Sequence, residues 1–597
     1  MKRCLIDELA HLKQSSKEAV ENLEEFSDFK KYLHVERSCE RELKIILEEI
    51  QGENRPHLVL VCGSVGDGKS HLISFLKNEY PHLFKNVVLH NDATESFHPT
   101  KTFEHTLREQ LKHFTDEALS NKPVAAPHIV VAINLGTLNN FLNSVYHDEY
   151  RTLANYVEKT GIMKNDRTRQ VKRYLEGIPI RHINLSDYHL YELTEKGIIS
   201  SFQEELLEKI TAKTKVNPIG RTYLETCLSC PIAQKCPVKK NYELLEKKEV
   251  QRSIIQRLAE VNIKYKTIIS PRTFNDLLYH ILVDAKISSI SSDNERKEKI
   301  KSLSDLDFLG SLLPNLFYEI DQQLERFTHI KYLEPSQNRT PEMDKLTIRF
   351  FNTTDLKPIF HTYLDEETMS LYNLDAILNR VENADREGNG ALRRMLYLTL
   401  LRLDNLYPAP NDKNIIQEDS VYKDYVRYLY YWNHGDPRAI KDLYISVINS
   451  LYFWNGNLGK EKVQLNIGRK QAKYIVYQHL KINIAPLSVP YSKPGGKLEQ
   501  FSTDMVLHFR ADGSKNFHPV DIDFHLYKLI DQVNKGYRLS HQDHNNYVNF
   551  VDLLERLSRD GSQQNKVEFR HKLGKDHHTY QLYIDEFGDY VFKVGTS

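Results

Sequence analysis

The sequence has no run of about 18 consecutive apolar residues, the length a bilayer requires, so it offers no membrane span. It has no excess of either charge, with Lys plus Arg and Asp plus Glu numbering 81 each. A balanced chain carries no global positive field to draw in a polyanion, so any nucleic-acid contact must come from a local patch or from partners. Six cysteines in 597 residues are too few for a disulfide scaffold, which excludes the small stapled folds of secreted proteins. The first residues, MKRCLIDELAHLKQ, lack the apolar core of a signal peptide and carry acids that a transit peptide avoids. A cytoplasmic location is expected. There is no internal repeat and no long low-complexity segment.

What is present is an ordinary globular composition, 40% hydrophobic and 27% charged, in a chain too long for a single core. Residues 1–50 place apolar side chains at helical spacing and read as a helical lead-in. From His57 the pattern changes to a short apolar run, HLVLV, then a glycine-rich loop, then HLISFLKNEY with helical period. Further strands are expected at NVVLHNDATES (86–96), HIVVAINLG (128–136) and RHINLSD, ending near Asp187, with a helix from about Phe103 to Ser120. Strands alternating with helices at this spacing predict a parallel α/β sheet over residues 51–200. A helical lid with a cysteine insertion is expected over 201–290, a helical domain over 291–455, and a small α+β domain over 456–597. In that last domain KYIVYQHLKINIA, DMVLHFRA, KVEFRHKL and TYQLYIDEFGDYVFKV alternate as half-buried strands do, around one helix at 524–559.

The glycine loop, VCGSVGDGKSHL at 61–72, satisfies GxxxxGKS with a strand before it and a helix after it. Glycines let consecutive backbone N–H groups converge on phosphate oxygens, and the helix beginning near Lys69 offers its positive end. The ligand set is Gly63, Ser64, Gly66, Asp67, Gly68, Lys69, Ser70 and His71. Lys69 is expected to reach the β and γ phosphates of ATP and Ser70 to bind Mg²⁺, with the Asp67 carboxylate turned away.

Hydrolysis also needs an acid near the metal and a group that positions water. No run of four apolar residues followed by Asp-Glu exists. Asp92 and Glu95 fall at the end of the VVLH strand, where they can serve the metal or simply cap the next helix. Asn134, at the tip of IVVAIN, can sense a γ-phosphate but cannot act as a base. SPRTFNDLLYHILV opens an amphipathic helix with Ser as cap and Pro in the first turn, followed by Arg272.

TCLSCPIAQKCPV holds Cys227, Cys230 and Cys236 as CxxCx5CP, a knuckle for one ion with a third thiol that closes back on it. The fourth ligand is missing from this stretch. Zn²⁺ is the expected metal, drawing a His or Cys from elsewhere; an iron–sulfur cluster, which wants four ligands and usually cysteines, is the alternative, and unliganded or redox thiols are another. Cys4, Cys39 and Cys62 are the only other thiols. In the C-terminal region Asp521, Asp523, His541, Asp543 and His544 are types that can bind a nuclease metal, but their spacing matches no nuclease pattern, and helix caps and polar strand faces explain the same residues.

CGSVGDGKSHL, LHNDATES, AINLGTLNNFL, INLSDYHLY, the CxxCx5CP cluster and SPRTFNDLLYHILV, in this order, resemble the DptF family of DNA phosphorothioation-dependent restriction proteins. GYRLSHQDHNNYVNF and DEFGDYVFKV extend the likeness over most of the chain. The resemblance implies an AAA+-like P-loop NTPase core and a restriction subunit of a bacterial defence system. It would work with DptG- and DptH-like partners on DNA that lacks a sulfur mark. By the broader AAA+ likeness, Asn134 and Arg272 would sense phosphate. The missing Asp-Glu pair leaves open a non-hydrolysing nucleotide switch, and the C-terminal acids leave open a nuclease subunit. Homo-oligomerisation also stays open.

Overall fold

The computed structural model describes residues 3–21, 28–90, 102–120, 126–163, 174–320, 324–382, 389–408, 414–416, 419–465, 473–561, 566–571 and 579–595. The chain divides into two compact units, one of 1–192 with 199–418 and the other of 193–198 with 419–597.

The first unit is built on four parallel strands: β1 (Leu58–Cys62), β2 (Val87–His90), β3 (His128–Ile133) and β4 (Ile180–Asn184), in the order β2-β3-β1-β4. Every residue of β1 and β3 is buried, as continuous apolar runs predict for strands covered on both faces. Leu58, Leu60 and Cys62 turn to one face with Ile129, Val131 and Ile133, beneath Leu138 and Phe141 of the Leu135–Leu142 helix and Leu153 and Tyr156 of the Arg151–Thr160 helix. Val59, Val61, Val130 and Ala132 turn to the other, beneath Leu43 and Leu47 of the Ser38–Gln51 helix and Leu72, Ile73 and Leu76 of the Lys69–Glu79 helix. The helix after β1 therefore lies on one face and the helix after β3 on the other. Two adjacent parallel strands that send the chain to opposite faces leave a crevice at their carboxyl ends, the usual place for a ligand in an open α/β sheet.

Helices make up most of residues 199–418, among them Lys248–Tyr265, Pro271–Leu282, Pro341–Asn352 and Gly390–Leu406. Ahead of the helical stretch expected from 201, the chain forms a short hairpin, Glu192–Thr194 with Gly197–Ile199. The helix expected over 103–120 is broken into Phe103–Gln110 and Asp116–Ser120 around a 3-10 turn. Asp116 is drawn aside there: its carboxylate accepts from the backbone N–H groups of Arg151 and Thr152 at 3.0 and 2.9 Å, capping a different helix.

The second unit holds two antiparallel sheets, one of three strands (Ile482–Ile484, Met505–Ala511, His518–Ile522) and one of five ending at Tyr590–Gly595. Met505–Ala511 alternates buried and half-buried residues, as a sheet with one covered face requires. The helices Ser420–Asn433 and Lys441–Phe453 belong to this unit, ahead of the expected start at 456. Tyr425 donates its hydroxyl to the Thr503 and Ile522 carbonyls and Trp432 its indole N–H to Val506, which ties the first of them to the strands. The helix expected over 524–559 is three helices, broken first over 535–540, where Gly536 adopts φ 97° and Ser540 and Asp543 form the capping box of the next helix, and again at Tyr547. No helix among the described residues is long and apolar enough to cross a membrane.

Candidate functional site

Residues 63–70 connect β1 to the Lys69–Glu79 helix at the carboxyl edge of the sheet, beside the crevice. Gly68 holds φ 94° as the residue before the helix, and Gly66 holds φ 90°. A Cβ on Gly66 would stand 2.9 Å from Ser270 Oγ and 3.5 Å from Arg272 Cβ, so the loop and the start of the Pro271–Leu282 helix touch only because this residue has no side chain. Lys69 curls back over the loop, its ammonium donating to the Gly63 and Ser64 carbonyls at 3.0 and 2.8 Å.

Asp67 is buried and its carboxylate faces into the protein. Its Oδ2 accepts from the Ser64 N–H at 2.7 Å and from the Ser186 hydroxyl at 3.0 Å. Its carbonyl oxygen accepts from Arg37 Nη1 at 2.8 Å. Ser70 stands in the first turn of the helix. The His71 Nε2 lies 3.1 Å from His34 Nδ1, whose ring stacks on Phe75 and whose Nε2 lies 3.0 Å from Glu40. Burial, helped by the nearby charges of His34, Lys30 and Arg37, pushes His71 down to about 3, so this imidazole is neutral across the physiological range.

Register sets the neighbours of the loop. Cys62 pairs with Ile133 on one side and Asn184 on the other, so Gly63 comes between Asn134 and Leu185 at the sheet edge. Asn134 caps the Leu135–Leu142 helix, its Oδ1 accepting from the backbone N–H and the hydroxyl of Thr137 at 2.7 and 2.9 Å. Arg272 is the second residue of the Pro271–Leu282 helix, held by the Ser270–Thr273 capping box. Asp276, one turn on, is raised above the usual carboxylate range by burial, an effect opposed by Arg272, Lys13 and Arg326. Asp92 and Glu95 lie outside the described residues.

The structure thus gathers the loop, Asn134 and Arg272 from three distant stretches of chain, and adds two residues that sequence reasoning missed. Arg37 precedes the Ser38–Gln51 helix in a segment read only as a lead-in, and no local pattern marks it. Ser186 sits in INLSD, just past a strand end, where the sheet edge could have drawn attention to it.

The three clustered cysteines lie on a tight chain path. The Cys227 carbonyl accepts from Cys230 N–H at 3.3 Å, the Cys230 carbonyl from Ala233, and Cys236 ends the loop at the start of the Pro237–Leu245 helix. Burial pushes the Cys227 thiol up to about 12 and the Cys236 thiol up to about 11. No group of three or more His, Cys, Asp or Glu among the described residues is drawn into a ready-made metal site. In the second unit, Asp523 caps the Phe524–Asn534 helix and Asp543 closes a capping box, while His544 Nδ1 accepts from the Trp454 indole at 3.1 Å. These side chains do helix-end and packing work, and Asp521 stands exposed on its strand.

The chain matches no family model, no curated protein and no solved structure at a similarity that carries an argument.

Proposed function

We propose that the chain is an AAA+-like P-loop ATPase that binds ATP and Mg²⁺ on residues 63–71. We further propose that it serves as the nucleotide-driven subunit of a DNA phosphorothioation-dependent restriction complex. The observation that carries the nucleotide reading is the contact of Gly66 with Ser270 and Arg272, at the end of the sheet where Asn134 also emerges. Three cationic side chains, Arg37, Lys69 and Arg272, meet there around a glycine loop that opens a helix, an arrangement suited to a polyphosphate.

In this reading Lys69 exchanges its two carbonyl partners for β- and γ-phosphate oxygens, trading neutral acceptors for charged ones. Ser70 would hold Mg²⁺, which bridges the phosphates and draws off developing charge. Arg272 would approach the phosphates from the lid, and Asn134 would offer its amide at the strand tip. Asp92 and Glu95, which follow β2 directly in sequence, are the acids assigned to the metal's water shell and the attacking water.

The restriction role rests on the resemblance to the DptF family, with DptG- and DptH-like partners and DNA reached through the complex. A net charge of zero fits a subunit that leaves much of the DNA contact to partners. The decisive experiment measures nucleotide binding and phosphate release by the full chain, alone and with partners, and plasmid restriction in cells. Lys69→Ala should abolish all three. Restriction that survives in that variant would overturn the motor, and binding without turnover, indifferent to Asp92→Asn and Glu95→Gln, would make the site a switch.

A further inference from the structure

A cavity of about 210 Å³ in the first unit is lined by Cys4, Cys227, Cys230 and Cys236, together with Arg296, Lys297 and Ile300. Three of the thiols come from one loop and the fourth from the other end of the unit's sequence. Cys4 immediately precedes the Leu5–Glu21 helix, its carbonyl accepting from the Asp7 and Glu8 N–H groups at 3.0 and 3.3 Å. The remaining two cysteines of the chain, Cys39 and Cys62, are buried in the two core clusters against the sheet. All four thiols outside those cores therefore border one space.

The size of that space selects among thiolate-bound groups. A lone zinc, bonded to each sulfur at about 2.3 Å, draws its four ligands nearly into mutual contact and leaves no interior. Here the four side chains stand among the residues that line a cavity with room for several waters, each of which takes about 30 Å³ in the liquid. An all-cysteine donor set around such a volume suits a polynuclear iron–sulfur group, which takes four thiolates.

The lining also supplies the electrostatics. Arg296 is buried, and its Nη1 pairs with Asp7 at 2.8 Å while its Nη2 donates to the Ser291 carbonyl at 3.0 Å. Its Nε is buried with no hydrogen-bond partner, a costly state for a guanidinium N–H unless an acceptor arrives. A sulfide or thiolate of a cluster is such an acceptor, and the cation offsets the net negative charge of a tetrathiolate group.

We propose that Cys4, Cys227, Cys230 and Cys236 ligate a [4Fe–4S] cluster that fastens the N-terminal helix to the 223–236 segment and the Asp293–Lys301 helix. The Leu5–Glu21 helix packs along the Pro271–Leu282 helix, which carries Arg272, so the cluster also steadies the element that touches the glycine loop. The ligand assignment does not depend on the nucleotide reading.

The test uses the full chain purified without oxygen. About four irons and four acid-labile sulfides per chain are expected, with a visible absorption that bleaches on reduction. Cys4→Ser should lose most of the iron, whereas Cys39→Ser, at a core thiol outside the cavity, should keep it. Where a variant is insoluble, alkylation of the native chain decides the matter. Cys4, Cys227, Cys230 and Cys236 should resist iodoacetamide until iron is stripped and then react together. One zinc per chain with no iron overturns the proposal, as does a Cys4 that alkylates equally fast before and after stripping.

Discussion

Arg37 donates from Nη1 to the carbonyl oxygen of Asp67 at 2.8 Å, fixing the middle of the glycine loop from a segment 30 residues upstream. The same residue is held through its side chain, where the Asp67 carboxylate accepts from the Ser64 N–H and the Ser186 hydroxyl. The loop is therefore braced within itself and held from two distant segments before any ligand arrives, which lowers the ordering cost of binding.

Arg37→Ala should weaken nucleotide binding about tenfold, since a hydrogen bond to a charged donor contributes roughly 1.5–3 kcal/mol and part of that acts through the loop. Isothermal titration with ATP and Mg²⁺ reads the change. Arg37→Lys should recover only part of the loss, because a point ammonium cannot keep the planar geometry of the guanidinium. An unchanged affinity would mean that the Arg37 contact is incidental.

Gly66→Ala meets two obstacles, a φ of 90° and a Cβ that would stand 2.9 Å from Ser270 Oγ. The left-handed conformation alone costs roughly 1–2 kcal/mol in an alanine, and the collision pushes the Arg272 helix off the loop. Nucleotide binding should fall below detection while the circular dichroism of the chain stays native. Gly177→Ala, where nothing stands within 4 Å of the added carbon, serves as the control for strain without contact.

Arg402 is buried in the first unit and bonds Glu334 through Nε and Nη2 at 3.0 and 2.8 Å, and Asn315 and Glu319 through Nη1 at 2.9 and 3.0 Å. Arg402→Ala strands the Glu334 carboxylate in the interior and should destabilise the unit by about 3–5 kcal/mol in urea unfolding. A double change to apolar residues of similar volume at 402 and 334 should cost much less.

Asp404 is buried and its Oδ2 accepts from the Ile415 and Ile416 N–H groups at 2.9 and 3.1 Å. Burial nonetheless dominates and pushes the carboxyl up to about 6 from an ordinary 3.8. A carboxyl raised in the folded state favours folding while it is protonated in both states, and that contribution is lost as pH rises through the folded value. Stability should therefore fall between pH 4 and pH 7 through this group, by an amount on the order of 2–3 kcal/mol at most. Asp404→Asn should flatten that part of the urea-midpoint profile, and parallel profiles for variant and parent would count against the assignment.

Much of the site was legible because its signals are local. A glycine loop between an apolar run and a helical repeat is a pattern of neighbours, as is Ser-Pro-Arg at a helix start. The parallel sheet follows from apolar runs with no polar alternation. The breaks in the helices expected over 103–120 and 524–559 were harder to read, because Asp116 caps a helix 35 residues away and Gly536 acts only through its backbone angle.

By itself the sequence determined the four parallel strands, the glycine loop with Lys69 and Ser70, the capped Arg272 helix and the spacing of Cys227, Cys230 and Cys236. Only the tertiary structure decided that Arg37 and Ser186 clasp the loop, that Gly66 rests on Ser270 and Arg272, and that Cys4 borders the cavity of the other three thiols. Local patterns report the backbone preference and burial of a few consecutive residues. Which distant segments meet depends on how the helices cover the two faces of the sheet, and one stretch of chain carries no record of its neighbours.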